Sequence, residues 1–178
     1  PNRLGETVLG RYDLNIVGHW QAVSAQRNRL ESHELQMKYF QYLSLLFTEI
    51  YLDWYFNQRQ DLLAGLNEAL RRYRAEAGAE PFRDYEADDL NKIAFWNATG
   101  SGKTLLLHVN IKQYLHYFQA GHGDQLPSKI ILLTPNEGLS RQHLHELHLS
   151  GFGFAQFFNK AQTPVRGTIE IIDSNKLG

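Results

Sequence analysis

The chain has 178 residues, enough for one good core or for a core with a small satellite subdomain. Its 43% hydrophobic and 21% charged content is that of an ordinary globular protein, and the net charge of −1 excludes a global basic field. With no cysteine, disulfides, thiolate metal sites and a cysteine nucleophile are excluded as well, which fits a reducing, cytoplasmic setting.

The chain starts at Pro1 and ends in "IIDSNKLG", wording expected of a piece of a longer parent. Residues 1–31 show no dominant period, and Gly5, Gly10 and Gly18 break them up. From Ser32, an expected N-cap, "SHELQMKYFQYLSLLFTEIYLDWYF" reads as a long helix with Leu35, Leu43, Leu46, Ile50 and Trp54 on one stripe. Its apolar part is long enough to span a bilayer, but Lys38, Gln41, Glu49 and Asp53 argue for a buried helix and no membrane. A second helix is expected over "DLLAGLNEALRRYRAEAG", with Leu62, Leu66, Leu70 and Tyr73 inward, Asp61 as cap and Gly78 as stop. The acidic stretch 79–89, containing Pro81, reads as a linker.

Beyond it the texture changes to strand, helix, strand, helix, strand. Strands are expected at 92–96, in "KIILLT" and in "TIEIID", with helices at about 103–119 and over "NEGLSRQHLHELHL". Such alternation calls for a parallel sheet with right-handed crossovers. The fold class is therefore α/β: a helical N-terminal region (1–80), a linker (81–90) and an incomplete parallel-sheet P-loop domain (91–178).

The chemistry sits at the first strand–helix junction, "NATGSGKT". Glycines let a loop curl with its N–H groups inward, which makes a cradle for phosphate oxygens at a helix N-terminus. Ala98, Thr99, Gly100, Ser101 and Gly102 would form that cradle. Lys103 would reach the β- and γ-phosphates of ATP, and the Thr104 hydroxyl would hold Mg²⁺. The plainer alternative is a glycine turn that happens to precede Lys-Thr.

Asn97 stands where the general pattern has its first glycine. In this the loop resembles motif I of superfamily 2 helicases and translocases, whose RecA-like first lobe begins in the same way. Thr134, Pro135, Glu137, Leu139 and Gln142 in "TPNEGLSRQ" match motif Ia of that superfamily. "FWNATGSGKTLLLH" is closest to the motor subunits of type I and type III restriction enzymes, which generally have methionine at the place of Asn97. The resemblance covers about residues 90–178. It implies an ATP-dependent translocase or helicase of nucleic acid, DNA before RNA, in which a strand phosphate meets Thr134, Pro135, Asn136, Arg141 and Gln142. It also implies a second motor lobe in the same parent chain. "KYFQ" resembles the element that reads adenine in many such motors, with Gln41 on the base edge and Phe40 or Tyr39 stacking; the alternative is a polar residue on a helix flank.

No Asp-Glu-x-His or Asp-Glu-x-Asp follows a core strand. Asp88-Asp89 precedes the loop and Asp173 is followed by Ser174, so these 178 residues are not expected to turn ATP over by themselves. His143, His145 and His148, with His108, His116 and His122 elsewhere, lack the spacing of a metal site and read as a solvated helix face. A different class of protein, a P-loop module that binds nucleotide without being a motor, shares the loop but has no use for the Thr-Pro segment.

Overall fold

A computed structural model describes residues 5–77, 82–163 and 165–176. Three helices come first: α1 (Glu6–Glu31), α2 (Tyr39–Asn57) and α3 (Arg59–Ala77). After a 3₁₀ turn (Ala87–Asn91) follow α4 (Lys103–Gly121), β1 (Ile130–Thr134), α5 (Glu137–Leu149), β2 (Ala155–Phe157), β3 (Ile169–Asp173) and a last 3₁₀ turn (Ser174–Lys176).

The three strands form one parallel sheet in the order β1-β3-β2. Ile130 pairs with Ile169 and Thr134 with Asp173, so both strands end at the same edge. Side chains alternate across this sheet. One face joins Ile130, Leu132, Ile169 and Ile171 to Leu144 and Leu147 of α5, to Phe152 and to Ile111 of α4. On the other face Ile131 and Leu133 remain exposed. The fold is thus α/β, with an incomplete RecA-like sheet carrying its helices on one side.

The strand expected at 92–96 does not form. Residues 92–98 make no ladder with any described strand, and they run beside Phe40, Ser44, Phe47 and Tyr51 of α2, with Trp96 in solvent. A strand needs a neighbour for its N–H and C=O groups, and periodicity in one segment cannot supply it. The short β2 (Ala155–Phe157) lies in the aromatic stretch between α5 and β3, for which the sequence pattern gives no strand.

A larger departure is α1, which runs unbroken through Gly10 and Gly18. Interior glycines cost a helix roughly 1 kcal/mol each. Against that, α1 buries Tyr12, Ile16, Trp20 and Val23 along one stripe, and such side chains contribute about 1.5–3 kcal/mol each. Burial wins. Ser32, expected to cap the start of the long helix that follows it, instead caps the end of α1 in a left-handed conformation, and α2 begins only at Tyr39. Of the stripe expected on α3 only Leu62 is buried, and Tyr73 is exposed. Gly78 and Pro81 lie outside the described residues.

The buried stripe of α2 is half polar: Gln41, Leu45, Thr48, Glu49, Leu52 and Asp53. Leu45 joins Ile16, Trp20 and Val23 of α1 and Leu106 and Val109 of α4 in one cluster. Glu49, fully buried, accepts hydrogen bonds from Gln113 Nε2 (2.6 Å), Tyr117 Oη (2.8 Å) and Asn15 Nδ2 (3.0 Å). Asp53 accepts from Tyr12 (2.5 Å), Asn57 (2.6 Å) and Arg11 (3.0 Å). Buried carboxylates persist only where their oxygens find such partners. Burial, helped by Asp53, pushes the Tyr12 hydroxyl up to about 12, and burial next to Glu49 raises that of Tyr117.

His108 of α4 is fully buried, with Nδ1 2.8 Å from Ser150 Oγ at the end of α5. Burial, reinforced by the nearby Arg27 charge, holds its imidazole down to about 4 from 6.5. The unfolded chain therefore takes up a proton below about pH 6.5 that the folded chain refuses until about pH 4. Stability present at pH 7 is lost across that window, by roughly 3 kcal/mol from this residue. Chemical denaturation at a series of pH values should show the fall, and His108→Gln should make the slope between pH 6.5 and 4 shallower.

Candidate nucleotide-binding loop and sheet edge

The residues before α4 form a tight turn whose shape is set by two glycines. Gly100 has φ +76° and Gly102, the N-cap of α4, has φ +82° and ψ +31°. Both lie in the left-handed region that residues with a Cβ rarely adopt. Ser101 N donates to Ala98 O (3.2 Å), which closes the turn, and Leu106 N donates to Gly102 O (3.0 Å), which starts the helix. The first N–H groups of α4 have no partner within the helix, and a helix of 19 residues carries its positive dipole end there.

Ala98, Thr99, Gly100 and Lys103 are exposed, whereas Thr104 is half-buried. Lys103 Nζ folds back on the loop and donates to Ala98 O (3.0 Å) and Asn97 O (3.4 Å). Ser101 is 8% exposed, yet its hydroxyl finds no partner among the described residues. A left-handed glycine on each side of a buried, unpartnered hydroxyl, followed by a lysine and a threonine, is a donor set made for anionic oxygens. The residues present fit a phosphate chain.

Gln41 also belongs to this site, though it lies 60 positions away in the chain. Its Nε2 donates to Ser101 O (2.9 Å), and its Oε1 accepts from Lys38 N (2.9 Å) just before α2. Both ends of the amide, expected to meet a base edge, are engaged with backbone. Tyr39 and Phe40 beside it are exposed.

The second expected contact lies at the C-terminal end of β1. Thr134 is 3% exposed, and its hydroxyl turns inward to Ser140 Oγ (2.6 Å) and Ile172 O (3.4 Å). That hydroxyl supports the turn into α5 and is not presented to solvent. Asn136, expected as a strand contact, caps α5 by accepting from Leu139 N (2.9 Å). Glu137, in the first turn of α5, pairs on its exposed surface with Arg141 (2.6 Å). Pro135 and Gln142 are exposed at the same edge. Asn175 Nδ2 donates to Pro135 O (3.0 Å) and so ties the end of β3 to this turn. Nothing in the sequence pattern had singled out Ser140 or Asn175, because their partners are brought together only by the parallel pairing of β1 and β3.

Two of the acids near the loop in sequence or at the sheet edge have partners of their own. Asp89 is held by Arg83 (2.8 and 2.9 Å), whose guanidinium keeps that carboxyl below its usual range. Asp173 Oδ1 accepts from Asn175 N (3.0 Å). The histidines are dispersed: His122 meets Phe118 O, His148 meets Ala155 O, and His116 meets Asn15.

Comparison with known families matches residues 60–176 to the family described as type III restriction enzyme, res subunit. The match takes in α3 from its second residue, the loop, α4 and the whole sheet, and leaves all of α1 and α2 outside. No curated protein and no solved structure matches the chain.

The two loop glycines differ in one testable way. A Cβ on Gly100 would meet nothing within 4 Å, whereas on Gly102 it would lie 2.8 Å from Gln41 Nε2. Gly100→Ala should cost only the left-handed strain, about 1–2 kcal/mol in chemical denaturation. Gly102→Ala should cost more, because the amide of Gln41 must also move.

Proposed function

The chain belongs to the type III restriction enzyme res-subunit family of ATP-dependent, helicase-like motors, and on that premise we propose that it supplies the ATP-binding part of a nucleic-acid translocase. The observation that carries this reading is the left-handed pair Gly100 and Gly102 around the buried hydroxyl of Ser101, at the start of a long helix. The N–H groups of Gly102, Lys103 and Thr104 would bind the phosphate chain of ATP. Lys103 would exchange its hold on Ala98 O and Asn97 O for the β- and γ-phosphates, so its resting position keeps the ammonium at the mouth of the loop. Thr104 would hold Mg²⁺, whose charge, when bound, offsets that of the phosphates.

The edge formed by Pro135, Asn136, Arg141 and Gln142 would meet the nucleic acid, with DNA favoured over RNA and a restriction system as the setting. Ligands of open α/β sheets bind along the C-terminal ends of the strands. Here Arg141 would trade its exposed pair with Glu137, an interaction worth little in water, for a phosphate oxygen. Thr134 would act from below by holding the turn through Ser140. Contacts of this kind read the backbone and not the bases.

Two experiments test the two halves of the reading. ATP with Mg²⁺ should raise the thermal midpoint of the purified chain, and Lys103→Ala should remove that response; an equal response in the variant would place nucleotide elsewhere. Binding of single-stranded or duplex DNA should weaken linearly in log–log plots against salt, and Arg141→Ala should lower the slope by about one. An unchanged slope with full nucleotide response would favour a nucleotide-binding module that is not a motor.

A further inference from the structure

The amide of Gln41 lies outside the stretch that matches the restriction-enzyme family, yet it donates a hydrogen bond of 2.9 Å to Ser101 O in the glycine loop. We infer that Gln41 is a positioning residue of that loop: by holding Ser101 O, it aims the Gly102 N–H at the bound phosphate. The inference rests on the phosphate-binding reading of the loop.

The argument is geometric. In a planar trans peptide the C=O and the following N–H point in opposite directions. The peptide between Ser101 and Gly102 has its oxygen fixed by Gln41 Nε2 at 2.9 Å, so its N–H is turned away from Gln41. A glycine pair is conformationally permissive, and its other orientations have to be suppressed if the cradle is to stand ready before a ligand arrives. Gln41 can do this because it is itself immobilised. It is 7% exposed, its Oε1 is occupied by Lys38 N, and α2 is bolted to α4 further along. Gln113 Nε2 of α4 donates to Leu45 O (3.0 Å) and to Glu49, and Tyr117 donates to Glu49. The start of α4 and the start of α2 are thereby held at a set distance, and Gln41 spans the gap. Gly102 carries the mark of this arrangement, since the space its Cβ would need is taken by Gln41 Nε2.

The adenine-reading role and the loop-aiming role separate cleanly when the base is removed from the ligand. Gln41→Glu is isosteric and keeps an acceptor for Lys38 N, but it has no donor for Ser101 O; Gln41→Ala removes both. Dissociation constants for inorganic tripolyphosphate, ATP and GTP should be measured on wild type and both variants, with the thermal midpoint of each unliganded protein. Loss of loop aiming predicts that all three ligands weaken by a similar factor, about tenfold, with the ATP/GTP ratio unchanged. Three results would overturn the inference. Weakening of ATP alone would make Gln41 a reader of adenine. A lower midpoint with unchanged affinities would make it structural only. Failure of wild type to bind tripolyphosphate at all would remove the phosphate-loop reading itself, and the inference with it.

Discussion

Helix α4 has to bury two faces at once, and the rest of the molecule is arranged to let it. Leu106 and Val109 pack with Ile16, Trp20 and Val23 of α1 and Leu45 of α2, while Ile111 packs toward the sheet with Leu147, Phe152 and Ile171. A helix that is apolar on more than one side is stable only inside a layered structure. Because α4 also begins at Lys103, the element that joins the two clusters is the one that starts directly after the glycine loop. Packing and chemistry are coupled through its axis.

The polar contacts between α2 and α4 give that coupling a direction. Apolar contacts tolerate sliding, whereas hydrogen bonds to buried carboxylates have narrow geometry. Glu49 accepts from Gln113 and Tyr117 on α4, which sets both the register and the rotation of α2. With the rotation set, Gln41 two turns earlier faces Ser101. Replacing Glu49 by an apolar residue of like size would keep the burial and lose that definition, and this is the distinction between filling a core and orienting it. The sheet end is fixed in a similar way, by Thr134 with Ser140 and by Asn175 with Pro135 O.

Several features were legible from local chemistry alone. The loop from Ala98 to Thr104, the helices over α4 and α5, and the strands β1 and β3 follow from glycine placement, from period and from β-branched runs, all of which act within a few residues. Other features were not legible. The periodicity puts Leu43, Leu46, Ile50 and Trp54 on the stripe of α2, but Glu49 and Asp53 are among its buried residues because Asn15, Tyr12, Gln113 and Tyr117 arrive from other helices. The continuity of α1 through Gly10 and Gly18 depends on what Trp20 and Ile16 pack against.

What the amino-acid sequence determined by itself is the position of the glycine loop, the parallel α/β order and the family, since each depends on residues close together in the chain. What only the tertiary structure decided is how those residues are used. Thr134 reads as a ligand contact in sequence and becomes a buried strut once β3 and α5 are beside it. Segment 92–96 reads as a strand and remains unpaired, because pairing is a property of two segments. Gln41 reads as a helix-flank residue or a base reader and lies against Ser101 O, because the packing of α2 on α4 closes a separation of 60 residues to one hydrogen bond of 2.9 Å. A hydrogen bond depends on direction and distance in space, and neither is written in the order of the residues.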